Sequence, residues 1–259
     1  AFLVCRGGWP QAVFFDDESI ALDQAFDYYD AVVHSDIQRA GEANFNPEIV
    51  KRLMRSYSRN QGSQTPVAQI SADMAVNENS TLSDKSVNAY INSLRKIFVV
   101  EDMPAWNPNL RSKTAIRTSD TRYFVDPSIA TAALGIGPGD LLADLNTFGL
   151  LFETLCARDL RVFAESLDGG VYHYRDKKGL ECDAVVHLRN GSYGLIEIKL
   201  GGKKLIDEGA ATLNALAANI DTTKMKTLSF KMVLTGVGEA AYKRAEDDVL
   251  VVPIGCLKN

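Results

Sequence analysis

Two apolar segments joined by a turn constrain this chain more than any other feature. Asp183 opens the run Ala184-Val-Val-His-Leu188, the turn Arg189-Asn-Gly-Ser192 follows, and Tyr193-Gly-Leu-Ile-Glu-Ile-Lys-Leu200 returns. Asn-Gly flanked by apolar alternation is a strong short-range hairpin signal. Side chains alternate across a strand, so Leu195, Glu197 and Lys199 share one face and Ile196, Ile198 and Leu200 the other. A chain carrying this segment has to build a sheet around it. It also has to use two charges set inside an apolar strand, because their burial otherwise costs solvation energy.

The hairpin carries Asp183 toward Glu197. Two carboxylates about 4 Å apart repel by roughly 4 kcal/mol at an effective dielectric near 20. A divalent cation turns that repulsion into a binding site with oxygen ligands. Lys199 then stands beside the metal, able to hold an attacking water or steady the charge on a phosphate. An acidic–apolar–Lys triplet alone is commonplace on the solvated face of an edge strand. The information lies in the ordered set: a helical Glu in Gly149-Leu-Leu-Phe-Glu153, the strand Asp of Gly179-Leu-Glu-Cys-Asp183, the hairpin, and Glu197-Ile-Lys199.

That ordered set resembles the PD-(D/E)XK nuclease superfamily, here without the Pro before Asp183. More narrowly, the chain is similar to the C-terminal region of a group of prokaryotic AAA-type ATPases. In these, a helical segment and a winged-helix-like unit precede a PD-(D/E)XK-like domain. The resemblance is carried by Arg6-Gly-Gly-Trp-Pro10, Ser35-Asp-Ile37, Ser86-Val-Asn-Ala-Tyr-Ile-Asn-Ser-Leu94, Tyr123-Phe-Val-Asp126 and Tyr174-Arg175, together with the set above. It implies an α/β chain: a helical linker over 1–46, a winged-helix-like unit over 47–120, and a restriction-endonuclease-like mixed sheet flanked by helices over 121–259. It further implies Mg²⁺ or Mn²⁺ on Asp183 and Glu197, a water-mediated carboxylate from Glu153, and Lys199 orienting the nucleophile. Arg175 is expected to steady the acids or grip a phosphate, and Glu181, on the face of Asp183 if both lie on one strand, to support the acids or serve as a further ligand.

Composition narrows the setting. The 259 residues carry a net charge of −5, which argues against broad affinity for nucleic acid but leaves room for a local basic strip. No run approaches the ~20 apolar residues of a membrane span. The four cysteines are scattered, and reduced thiols in a cytoplasmic protein are the expectation. The start, Ala1-Phe-Leu-Val-Cys5, lacks an initiator Met and a basic signal region, so it reads as a cut inside a longer chain. The resemblance places an ATP-binding domain in the missing part. Gly135-Ile-Gly-Pro-Gly139 has no following Lys-Ser/Thr, and without a Walker A motif the segment is not expected to hydrolyse ATP.

Along the chain, apolar spacing predicts helices over Asp17–Gln38, Pro47–Arg59, from Pro66, and over Asp84–Phe98. The outer face of the second carries Lys51, Arg52, Arg55 and Arg59, a pattern open to solvation and to phosphate binding alike. A strand over Val99–Ala105 would complete a helix-turn-helix with a wing. Nucleic-acid contacts are then expected from Lys85, Asn88 and Arg95, with Arg111 and Lys113 in the basic loop 107–122. Winged helices also serve as protein-binding modules. A strand at Tyr123–Val125 and a long helix over Leu141–Glu165 come next, with Leu145, Phe148, Phe152 and Leu155 inward and Gly149 permitting close approach to the sheet. His173, in the strand Val171–Arg175, and His187 read as structural. Beyond Lys199 come a basic loop at Gly201-Gly-Lys-Lys204, a helix over Asp207–Asn219, and strands at Lys231–Thr235 and Val249–Ile254. Three readings fit the residues: a metal-dependent nuclease acting on DNA, a catalytically inactive nuclease fold that binds DNA or a partner to regulate the ATPase, and a platform for protein partners or homo-oligomers.

Overall fold

Apolar residues at helical spacing dominate the first half of the chain, and helix follows helix there. A computed structural model describes residues 1–40, 45–75, 82–108, 119–223 and 225–257. The helices are α1 (Phe2–Arg6), α2 (Pro10–Phe14), α3 (Glu18–Ala31), α4 (Ile37–Ala40), α5 (Pro47–Arg59) and α6 (Val67–Met74), then α7 (Asp84–Lys96), α8 (Pro127–Leu134), α9 (Pro138–Ala143) and α10 (Leu145–Ser166). A π turn over Val32–Asp36 joins α3 to α4. Asp17, Asn46, Ser83 and Asp126 cap α3, α5, α7 and α8 by accepting a backbone N–H of the first turn.

Two compact units result, residues 1–102 with 121–155 and residues 103–120 with 156–259. In the first unit, α8 is almost wholly buried and packs against α1, α3 and α5. Gly8 N–H donates to Asp126 Oδ2 at 2.9 Å and Trp9 Nε1 to Ser128 Oγ at 2.8 Å. Gly7 has φ of +74°, and a Cβ there would lie 2.5 Å from Asp126 Oδ1, so the Gly-Gly-Trp sequence is what lets the chain start grip the cap of α8.

Helices α5, α6 and α7 form the expected run of three, but the wing is reduced. Val99–Ala105 contributes single bridges: Val100 with Phe124 in the first unit, and Ala105 with His173 in the second. Pro104 lacks an N–H for a ladder. Asp102 is tied down, with Tyr57 Oη, Arg95 and Arg122 (Nη1, 2.8 Å) all on its carboxylate, which is 3% exposed. Arg111 and Lys113, with the rest of the basic loop at 109–118, lie outside the described residues.

The second unit holds β1 (Gly169–Arg175), β2 (Glu181–Leu188), β3 (Tyr193–Lys199), β4 (Phe230–Thr235), β5 (Tyr242–Lys243) and β6 (Leu250–Pro253), in the order β1-β2-β3-β4-β6-β5. The first three are antiparallel neighbours, β3–β4 and β4–β6 are parallel, and β5 was not anticipated. Parallel pairing needs a crossover, and helix α11 (Lys203–Asn219) supplies it between β3 and β4. Ala210, Leu213 and Leu216 of α11 pack on Val185, Leu195 and Val233, while Leu160, Phe163 and Ala164 of α10 share a cavity wall with Val186, Ile196 and Met232. The fold is thus mixed α/β: N-terminal helices, then a six-stranded mixed sheet flanked by helices. No helix among the described residues is long and apolar enough to cross a membrane.

Details of α10 differ from expectation. Leu145 is 60% exposed, whereas Phe152, Leu155, Cys156 and Leu160 are buried. The space beside Gly149 is open, so no close approach depends on it. All four cysteines are free, with Cys256 exposed and the others buried.

Candidate functional site

Antiparallel pairing of β2 and β3, with Val185 opposite Leu195 and Ala184 opposite Ile196, carries Asp183 toward Glu197. Asp183 Oδ2 accepts the Ile198 N–H at 2.7 Å and stands 3.2 Å from Lys199 Nζ. The same ammonium lies 2.7 Å from Glu197 Oε2. One lysine therefore touches both acids. The Glu197 side chain is 6% exposed, against 22% for Asp183 and 24% for Lys199, so the site opens on the aspartate side. The alternation read from the sequence put Glu197 and Lys199 on one face, and α11 covers that face.

Electrostatics follow from this packing. Burial, reinforced by the charge of Asp183, pushes the Glu197 carboxyl up to about 8 despite the opposing lysine. Burial works against the Lys199 ammonium, yet Asp183 and Glu197 outweigh it and hold the lysine above its ordinary value. Near neutral pH Glu197 is largely protonated and Lys199 stays charged. Cys182 is a raised, inert thiol, chiefly through burial and then through the two acids.

Other expected residues lie elsewhere. Glu153 belongs to the first unit, where it accepts the Tyr123 hydroxyl and stands so close to Gly62 that a Cβ there would lie 2.9 Å from its Oε2. Arg175 and Glu181 pair with each other at 3.1 Å, both about half exposed. On α7, Lys85 and Asn88 are exposed. Arg95 is occupied, with Nη1 donating to Asn92 Oδ1 at 2.8 Å and Nη2 on Asp102. His187 Nδ1 accepts from Trp106 Nε1 at 3.3 Å, and His173 Nε2 lies 3.1 Å from the Ser119 carbonyl. Gly201-Gly-Lys-Lys204 is a helix start, with Gly202 as the cap residue and both lysines in the first turn of α11.

Sequence reading passed over Gly209. A Cβ at that position of α11 would meet Glu197 Cβ and Val233 Cγ2 at 3.3 Å and Lys199 Cε at 3.7 Å. The helix lies over the trio because this residue has no side chain. An isolated glycine inside an otherwise helical run is the signal that could have found it.

Whether the residues suit a cation turns on donor count. Among the described residues no group of three or more His, Cys, Asp or Glu is placed to hold a metal. Mg²⁺, however, is commonly held by one or two carboxylates, with waters and substrate phosphates completing an octahedron. Asp183 and Glu197 meet that smaller requirement, with Lys199 as the group that has to share them.

Fold and site together define an α/β chain whose mixed sheet presents two acids and a lysine on adjacent strands. Residues 1–140 match a family described as a domain of unknown function, DUF8612, and the chain belongs to that family. Residues 148–257 match a second domain of unknown function, DUF4143, which is found at the C-termini of AAA-ATPase-type proteins. No curated protein matches the chain.

Proposed function

We propose that residues 148–257 are a nuclease-like module of the PD-(D/E)XK type at the C-terminal end of an AAA-type ATPase, and that it cleaves phosphodiester bonds in nucleic acid with Mg²⁺ or Mn²⁺. The observation that supports this is the convergence of Asp183, Glu197 and Lys199: two acids from adjacent strands, one buried, bridged by one ammonium. Asp183 and Glu197 are the residues that would hold the cation. When bound, it would polarise the phosphoryl oxygen and lower the pKa of a coordinated water. Asp183 is oriented for this by the Ile198 N–H. Glu197 must give up its proton to become a ligand, so cation binding releases a proton below about pH 8. Lys199, held as an ammonium, donates hydrogen bonds to the attacking water or to a phosphate oxygen. ATP on the upstream ATPase domain and DNA at this module are the partners this reading requires.

A specific observation favours a second reading. Lys199 already touches both acids, and no third acid joins them among the described residues. A resting trio of this kind is stable without chemistry, as in a nuclease fold kept to hold DNA or a protein partner for the ATPase.

Incubation of the protein with duplex and single-stranded DNA and Mn²⁺ separates the two. The first reading requires strand cleavage in the wild type and its loss in Lys199→Ala and Asp183→Asn. Salt-sensitive binding without cleavage at any pH from 6.5 to 9 would replace it with the second.

A further inference from the structure

Most arginines among the described residues are engaged. Arg39, Arg95, Arg122, Arg175, Arg189 and Arg244 each stand within ion-pair distance of a carboxylate. Arg52, Arg55 and Arg59 of α5 differ: they are exposed and, among the described residues, enter no hydrogen bond, ion pair or ring contact. At 100° per residue the three fall within about 60° of one another, and at 1.5 Å of rise they span about 10 Å. The opposite side of the helix is anchored by Val50, Leu53, Met54 and Tyr57, each 0% exposed, so the row sits on a fixed element. Among the described residues no neighbouring acid pairs with it. Glu48 is held by Lys51 at 3.2 Å, and Asp73 receives the Ser56 hydroxyl at 3.2 Å. Asp30 and Glu48 both act on the Tyr29 hydroxyl, as Arg55 does, so these acids lie near the row without pairing with it. In a chain of net charge −5, three guanidinium groups in line, none of them ion-paired among the described residues, are an exception with a physical consequence.

We propose that this row on α5 is where the helical unit grips a nucleic-acid backbone. One strand of a duplex presents a charge every ~3.4 Å along its axis, so the ~10 Å row faces about three phosphates. Guanidinium forks match phosphate oxygens in pairs, which an ammonium cannot do. The helix in the position of a recognition helix, α7, is less suited, because its Arg95 is spent on Asp102 and Asn92. The preference for nucleic acid over an acidic protein rests on the phosphodiesterase reading of residues 148–257. The grip itself is sequence-independent, because phosphate contacts carry position rather than base identity.

The test uses the full chain in EDTA, where no cleavage can occur, with fluorescence anisotropy of a labelled 20-base-pair duplex from 50 to 200 mM salt. Removing three phosphate contacts in Arg52→Ala/Arg55→Ala/Arg59→Ala should flatten the slope of log K against log[salt] by about 2.7. The matching triple Lys variant should keep the slope, which rules out a folding defect as the cause. Lys203→Ala/Lys204→Ala, on α11, should leave it unchanged. An unchanged slope in the triple Ala variant overturns the inference, as does the absence of duplex binding by the wild type. Polyglutamate competing as well as duplex at equal charge also overturns it, in favour of an acidic protein. Cleavage does not enter this readout, so a wild type that binds with the expected slope but never cuts with Mn²⁺ removes the nuclease reading and leaves the row standing.

Discussion

Replacing Glu197 with Gln tests the electrostatic account of the site most directly. Glu197 has its carboxyl raised from the ordinary 4.5 to about 8. The folded state therefore holds a proton that the unfolded chain releases, and folding stability falls as pH rises through that window. At 1.36 kcal/mol per unit, the loss is on the order of 5 kcal/mol between pH 4.5 and pH 8. Gln cannot ionise, keeps the shape and still hydrogen-bonds, so its stability should lack this slope. Below pH 5 the variant should lie within about 1 kcal/mol of wild type, because a neutral Glu and a Gln are near equivalents. Above pH 8 it should be the more stable by several kcal/mol. The assay is urea unfolding at pH 5, 7 and 9 in EDTA, in a Trp9→Phe background. That background leaves Trp106 as the sole tryptophan, within the second unit. Parallel pH dependence in the Glu and Gln forms would refute the reasoning, since the proton would then reside elsewhere.

Two further outcomes follow from packing. Gly209→Val places branched atoms against Glu197 Cβ and Val233 Cγ2, already at 3.3 Å from a bare Cβ, so overpacking should cost about 1–3 kcal/mol in urea unfolding and displace Lys199. An unchanged midpoint would mean that α11 lies farther from β3. Asp102→Ala strips the carboxylate from Tyr57, Arg95 and Arg122 in the first unit, and breaking a buried pair of this kind costs about 3–5 kcal/mol. A loss below 1 kcal/mol by Trp9 fluorescence in a Trp106→Phe background would show that the network is solvated.

Local periodicity explains what the sequence could reveal. Strand alternation and the Asn190-Gly191 turn are both local, and together they were enough to bring Asp183, Glu197 and Lys199 to one place. Helix starts were legible for the same reason, because Asp17, Asn46, Ser83 and Asp126 act within their own first turns. Glu153 shows the limit. Helix α10 runs without a break from residues of the first unit into residues of the second, and 3.6-residue spacing carries no mark of where the unit changes. Its carboxylate meets Tyr123 and Gly62, which only the tertiary fold assembles. Arg95 was legible as an outward helical residue, but its capture by Asp102 depends on the chain turning back after α7. The segment after α7 is a related case. Val99–Ala105 has strand composition, yet its pairing splits between the units at Asp102 and Met103.

Lys199 decides how the trio should be understood. An ammonium held above its ordinary value by two acids cannot take up a proton at any physiological pH, so it can act only as a fixed charge and a donor. That makes it redundant as a counter-ion once another cation sits on the acids, and necessary as one when none does. A donor freed in this way, 24% exposed and on the open side of the site, has a phosphate as its natural next partner. In a metal-dependent nuclease the acids would exchange one positive partner for another, and the lysine would exchange carboxylate for phosphate. In an inactive module no such exchange takes place, and the 2.7 Å contact between Lys199 and Glu197 persists whatever is bound.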